Sequence, residues 1–372
     1  MLIFDLILAT RRPVMTGVER YGALLFSAMR KIAPDTLAVV SDPSLFSDRS
    51  GLIAVGDVYK SWLSLPLELR RRGLSPQAVI FPTAPASPLF LPTRHRLVRI
   101  AHDAFPWTRA EAMPLKGRLL YRHVETLMAQ RYDVFCGTTE VVAEDLKAHL
   151  RRADMAWCGN APCVDFAGAE GIAPLGVPEK FILAVGTVEP RKNYARLAAL
   201  VEAGGPDALP VVLVGRPGWG EIVADIERLA AERPDRLIWL RDLSGDAGLL
   251  WLYRRASCFL TLSLAEGFNM PLAEAGCCGR PVLCSDLPVH RLVAPPWASF
   301  VAAEAAPEEL WRRIHAATAP TAQEVDAYRG RFSFDAIAQR LLGLVERSAD
   351  IPVHDVRTRA FATSRREGAR ST

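Results

Sequence analysis

The feature that most constrains the fold of this 372-residue chain is an alternation of short, continuous apolar runs with longer amphipathic segments. In the second half the apolar runs are 181–186, 210–215, 237–240, 258–262 and 281–285. Helical periodicity separates them over 194–201, 221–233 and 245–254. The first half repeats the pattern. Strand-like runs at 2–8, 36–40, 78–81, 96–100 and 133–136, interrupted by Asp5, Arg96, Arg99 and Asp133, alternate with helical segments at 17–32, 59–72 and 116–131 and one running from Thr138-Thr139 to about 150. Runs that are apolar throughout, rather than at every second residue, belong to strands buried on both faces. Strands of that kind alternating with helices predict an α/β fold with parallel, doubly wound sheets. Ligands of such sheets bind beyond the carboxyl ends of the strands, and Gly186, Gly215, Arg241 and Glu266 all fall there.

The length fits two domains, each able to bury its own core. Residues 160–179 are rich in Gly, Ala and Pro and lack a period, which marks the boundary. The expected division is a first domain over 1–165, a linker over 166–179, a second domain over 180–330, a final helix within 331–348 and a mobile basic tail over 349–372. A composition of 50% hydrophobic and 23% charged residues is that of a globular protein. The net charge of +4 argues against a nucleic-acid partner. Residues 1–165 are nonetheless mildly basic, with 21 Lys and Arg against 16 Asp and Glu. The N-terminal apolar run is broken by Asp5 and followed by its arginines, unlike a signal peptide. No apolar run reaches the ~18 residues of a membrane span. Seven cysteines without metal or disulfide spacing fit a reduced compartment.

Chemistry concentrates in a few stretches. Glu266-Gly267-Phe268-Asn269-Met270-Pro271-Leu272-Ala273-Glu274 reads as an acidic loop entering a helix, with Pro271 at the first helical position and Asn269 or its neighbour as its cap. The free N–H groups of such a helix start attract anions. In Gly186-Thr187-Val188-Glu189-Pro190-Arg191-Lys192-Asn193, two cations stand before a helix, where the dipole disfavours them, so they call for an anion nearby. Arg as a fork and Lys as a point charge suit a diphosphate. Gly17, after the first strand, permits close backbone approach to a ligand. His102, at a strand end, suits sugar hydroxyls or proton transfer. The loops around Gly215 and Arg241 suit a base. Each feature alone has a plain reading: a solvated helix start, an exposed first-turn acid, a turn, a capping histidine.

Jointly they resemble the retaining GT-B glycosyltransferases of group 1, or family 4. The resemblance rests on Gly186-Thr187-Val188-Glu189-Pro190-Arg191-Lys192-Asn193, on Leu213-Val214-Gly215, and above all on the E-x7-E motif from Glu266 to Glu274 followed by Gly279-Arg280-Pro281-Val282. It covers about 180–290, with a looser match at Gly17 and His102-Asp103. It implies two Rossmann-like domains facing across a cleft, with the last helix crossing back to the first. Glu274 is then expected to bind ribose and Glu266 the donor sugar. Backbone groups of Gly267, Phe268, Asn269, Met270 and Leu272 meet sugar and diphosphate, and Arg191 and Lys192 stabilise the leaving diphosphate without metal or other cofactor. The implied partners are a nucleotide-diphosphate sugar such as GDP-mannose and a glycan or polyprenyl-linked acceptor. The implied setting is cytoplasmic, peripheral at the inner face of the plasma membrane, with basic clusters at Arg70–Arg72 and at Arg94, Arg96 and Arg99. A non-catalytic GT-B scaffold or nucleotide-sugar sensor and a GT-B epimerase are the alternatives. Three departures stand out: Thr16 where the family often has a second glycine, Leu287-Pro288-Val289-His290 where a Pro-Glu pair is common, and Cys277-Cys278 in place of small residues.

Overall fold

The computed structural model describes residues 1–109, 118–166, 171–243 and 245–349. They form two compact units, one made of residues 1–160 with the segment from Ser333 onward, the other of residues 161–332. Residues 161–165, expected in the first domain, and residues 166 and 171–179 of the expected linker thus belong to the second unit. The final helix, Phe334–Ala349, belongs to the first. The basic tail lies outside the described residues apart from the end of that helix.

The first unit holds a parallel sheet of seven strands: β1 (Leu2–Asp5), β2 (Leu37–Val40), β3 (Leu52–Ala54), β4 (Ala78–Phe81), β5 (Leu97–Ala101), β6 (Val134–Gly137) and β7 (Met155–Trp157). Their order is β3-β2-β1-β4-β5-β6-β7. β1, β4, β5 and β6 are wholly buried, which explains why they are apolar apart from Asp5 and Arg99. The short edge strands β3 and β7 are half exposed and mixed in character, so they carry no such run. Helix α1 (Gly17–Ile32) spans the range its periodicity predicts; the Glu19 carboxylate accepts from Thr16 N–H at 2.6 Å and fixes its start. The final helix packs on α1, with Phe334 5.6 Å from the Tyr21 ring and Lys31 Nζ 2.9 Å from Asp335. Helix α2 (Val58–Arg71) starts at an Asp57 cap.

Two readings of the first half change. The strand expected over 2–8 stops at Asp5, where Asp5 Oδ1 accepts from Ile7 N–H and the chain turns. Residues 6–10 stay buried inside that turn, so the apolar run outlasts the strand. The helix expected over 116–131 is wound as π-type turns over Leu119–Val124 and as an α-helix over Glu125–Met128; residues 116 and 117 lie outside the described residues.

The second unit holds a parallel sheet of six strands: β8 (Ile182–Val185), β9 (Val211–Val214), β10 (Leu237–Leu240), β11 (Cys258–Thr261), β12 (Val282–Ser285) and β13 (Ser299–Val301). Their order is β10-β9-β8-β11-β12-β13. In both sheets the chain reverses its direction of growth once, between β1 and β4 and between β8 and β11. Those switch points open a crevice at the carboxyl ends of the two central strands. All seven cysteines are buried free thiols, used as small apolar packing groups. Among the described residues no helix is long and apolar enough to cross a membrane.

Candidate active site

The switch point of the second sheet gathers the charged residues singled out by sequence. β8 ends at Gly186 and leads to Arg191 and Lys192; β11 ends before Ser263 and Glu266. Glu266 Oε2 lies 2.6 Å from Arg191 Nη1, and Oε1 lies 2.7 Å from Lys192 Nζ. Ser263 Oγ donates to Oε1 at 2.8 Å. Arg191 also reaches the Ala265 carbonyl at 2.9 Å and pairs with Glu189. Burial would raise the Glu266 carboxyl, but Lys192 and Arg191 outweigh it and hold the group down at about 2. Glu266 is therefore a carboxylate at any working pH. The anion that the two cations call for is present within the chain: Glu266 and Glu189 supply it.

Backbone geometry makes this meeting possible at two glycines. Gly186 has φ +150° and Gly215 φ +155°, in a region that side chains rarely adopt. A Cβ on Gly215 would come within 2.0 Å of the Gly186 carbonyl oxygen, and one on Gly186 would press on Lys192 Cε at 3.0 Å. The ends of β8 and β9 thus approach too closely for any side chain. Beside them the Arg241 guanidinium stacks on Trp239 at 4.2 Å and pairs with Glu227 at 2.9 Å, on an exposed rim.

The loop from Glu266 enters the helix Met270–Cys277. Pro271 occupies its second position rather than its first. Asn269 caps the helix in a left-handed conformation (φ 69°, ψ 70°). Its Nδ2 donates to His290 Nε2 at 2.9 Å and to Thr261 Oγ1 at 3.1 Å, while Oδ1 faces Leu272 N–H. His290 is fully buried. Its Nδ1 sits 2.8 Å from the Ser285 carbonyl, which can only accept, so Nδ1 carries the hydrogen and Nε2 is the acceptor for Asn269. Burial pushes the His290 pKa down, in keeping with a neutral ring. His290 is the functional-site residue that sequence reasoning passed over. It stands in the stretch noted there as a departure, and no spacing rule links a histidine 21 positions downstream to an asparagine cap.

The Leu272 N–H donates to the Asn269 carbonyl at 3.0 Å, so it is spent within the chain. The Phe268 and Leu272 side chains are core groups, Phe268 packing edge-on against Phe332 at 6.0 Å. Glu274 lies buried on the helix Met270–Cys277. Tyr253 Oη donates to its Oε2 at 2.8 Å, and Cys163 N–H approaches Oε1 at 3.4 Å. Met270 Sδ packs 3.7 Å from Cys163 Sγ. The two carboxylates of the motif therefore sit in different surroundings, one among cations and one among neutral donors.

Gly17 and His102 belong to the first unit, at its own switch point. A cavity of about 300 Å³ opens there, walled by the β1–α1 segment (Leu8, Arg11, Thr16, Glu19), the end of β4 (Thr83, Ala84) and the segment after β5 (His102, Asp103, Trp107). His102 Nε2 lies 2.8 Å from the Pro82 carbonyl and so carries the hydrogen, leaving the lone pair on Nδ1. Desolvation pushes its pKa down to about 4, so the ring is neutral. Thr83 Oγ1 is buried with no partner among the described residues. Arg99 and Glu125 line the cavity as a buried pair at 2.8 Å, with Arg99 also held by the Phe81 carbonyl at 3.0 Å. Arg99 is therefore no part of a surface basic cluster.

Comparison with known proteins agrees with this geometry. Residues 172–320 match the family model described as Glycosyl transferases group 1. The serotype-specific mannosyltransferase WbdA of Escherichia coli is 32% identical over 147 residues, covering 38% of this chain and 18% of that protein. The O-antigen chain mannosyltransferase B of Escherichia coli is 36% identical over 112 residues, covering 29% of each. The matches thus span less than a third of either relative's length. The structure of AviGT4, a glycosyltransferase involved in avilamycin A biosynthesis, superposes with a TM-score of 0.63 at 18% identity, over 94% of this chain and 98% of that one. The fold is GT-B, as the sequence resemblance implies.

Proposed function

We propose that this GT-B chain, with its group 1 glycosyl transferase segment over residues 172–320, is a retaining hexosyltransferase. It moves a hexose, with mannose favoured by the relatives named above, from a nucleotide-diphosphate sugar to a glycan or lipid-linked acceptor in surface polysaccharide synthesis. The observation that carries the reading is the convergence of Arg191, Lys192 and Glu266 at the β8/β11 switch point.

Glu266 pairs with both cations. An entering diphosphate competes with Glu266 for them, while Glu189 keeps its own pairing with Arg191, and Glu266 is released toward the hydroxyls of the donor sugar. As the anomeric bond breaks, negative charge grows on the departing diphosphate, and Arg191 and Lys192 are already placed to stabilise it. Neutral Asn269, locked by His290, shapes the backbone between the two motif carboxylates. Glu274, aligned by Tyr253, is the ribose-binding candidate. His102 and Gly17 serve the sugar and acceptor side from the first unit. No metal ion is needed in this scheme, and a peripheral contact with an anionic membrane accompanies a lipid-linked acceptor.

The test is release of nucleoside diphosphate from a panel of nucleotide sugars with a glycan acceptor, with the product anomer read by NMR. Turnover that collapses in Lys192→Ala and Glu266→Gln, is unchanged by chelator, and retains the anomeric configuration is the expected result. Donor binding without turnover in the wild type would instead make the chain a nucleotide-sugar sensor.

A further inference from the structure

A second acid, Glu189, stands on the turn that carries Arg191 and Lys192. It is 4% exposed, and its Oε1 accepts from Arg191 Nη2. Glu266 differs from it in two ways. It is divided between the cations, Oε2 with Arg191 Nη1 at 2.6 Å and Oε1 with Lys192 Nζ at 2.7 Å. It also reaches them from another loop, 75 and 74 positions away in sequence. Glu189 instead shares the turn of Arg191, as the residue just ahead of Pro190–Lys192. The backbone on both sides of Glu189 is clamped by residues 216–220. Val188 N–H donates to the Arg216 carbonyl at 3.0 Å, and Gly218 N–H donates to the Val188 carbonyl at 3.1 Å. A Cβ on Gly218 would stand 2.6 Å from the Val188 carbonyl oxygen, and one on Gly220, at φ +89°, 2.9 Å from Pro190 Cγ. The turn is fixed on that side, and a buried carboxylate holds on to its cation because parting would leave both charges desolvated and unpaired.

We infer that Glu189 is a positioning residue: it is the permanent partner of Arg191, holding the guanidinium in place when a diphosphate displaces Glu266, and its charge limits how tightly nucleoside diphosphate is held. The inference rests on the diphosphate-binding role given above to Arg191 and Lys192. With Nη2 committed to Glu189, Arg191 presents Nη1 at the place Glu266 Oε2 now takes. A donor fixed in advance needs no reorganisation as charge develops on the leaving group. The same buried carboxylate repels the diphosphate in donor and product alike, so its charge acts on binding rather than on the chemical step. Among the described residues Lys192 pairs with no carboxylate but Glu266. Displacement of Glu266 therefore frees the lysine fully and the arginine only in part.

The experiment is calorimetric titration of the full chain and of its Glu189→Gln and Glu189→Ala variants with GDP, UDP and dTDP, joined to steady-state turnover. Glu189→Gln removes the charge and keeps an acceptor for Nη2, and it should bind nucleoside diphosphate about tenfold more tightly. Glu189→Ala removes both. It should bind as tightly and also lose about tenfold in kcat, so that KM and kcat fall together. In an Arg191→Ala background, Glu189→Ala should cost no further kcat. A raised KM with a lowered melting temperature would make Glu189 a merely structural acid and overturn the inference. So would unchanged affinity in Glu189→Gln, or wild-type kcat in Glu189→Ala. Each of these, found while Lys192→Ala still collapses turnover, leaves the proposed function standing. Failure of the wild type to bind any of the three nucleoside diphosphates would overturn both together.

Discussion

The two switch points are built on the same parallel scaffold and furnished in opposite ways. At β8/β11 the loops bring two cations onto two carboxylates and fill the crevice with an ion-pair network. At β1/β4 the crevice is an open cavity of about 300 Å³, lined by Arg11, Arg12, Glu19, Asp103 and the buried Arg99–Glu125 pair beside a neutral histidine. Topology fixes where a site can form; the residues after each strand decide whether its charges pair across the crevice or line an open cavity.

This contrast can be broken by substitution. The largest effect is expected in the first unit, at the pair lining the hollow site. Glu125→Ala leaves the Arg99 charge buried and unpaired and should cost about 3–5 kcal/mol in urea unfolding. Arg99→Met combined with Glu125→Leu should restore most of it, which a catalytic pair could not do without losing turnover. Next, Lys192→Ala should lower turnover by about 10²–10³-fold, the usual cost of removing one donor to developing charge. A loss confined to KM would mean that the cation serves binding only.

Asp5 gives a pH test at the end of β1. Burial raises its carboxyl to about 7. A raised folded pKa means that its contribution is intact below the unfolded value of 3.8 and is lost as pH rises through about 7. Asp5→Asn should therefore be near neutral at pH 4 and stabilise by roughly 2–4 kcal/mol at pH 8. A difference that does not grow with pH would refute the buried acid. The smallest effect is expected at His290. His290→Ala should raise the donor KM about tenfold through the loosened Asn269 cap. His290→Gln, which can still accept from Asn269, should recover part of it. Equal loss in both variants, with lowered melting temperature, would reduce His290 to a packing group.

Much of this was legible in the sequence. The largely apolar runs placed the central strands and α1, because burial on both faces leaves few polar residues in them. The E-x7-E stretch and the Arg191-Lys192 pair were legible because their neighbours in sequence, Asn269, Pro271 and the glycines, carry strong local preferences. The edge strands β3, β7 and β13 were not, since three half-exposed residues show no pattern. Nor was the end of β1, where a buried turn imitates a strand.

What the sequence determined by itself was the doubly wound class, the position of the motif loops at strand ends and the residue types available for phosphate chemistry. Only the tertiary structure decided who faces whom. It gave Arg191 and Lys192 the Glu266 carboxylate as their counterion, tied Asn269 to His290, withdrew Arg99 from the surface, and left Tyr59, Leu63 and Leu67 in solvent. Local preferences act over a few residues and can be read in one dimension. Pairing of charges and exposure of apolar groups depend on contacts between distant segments, and those exist only once the chain has folded.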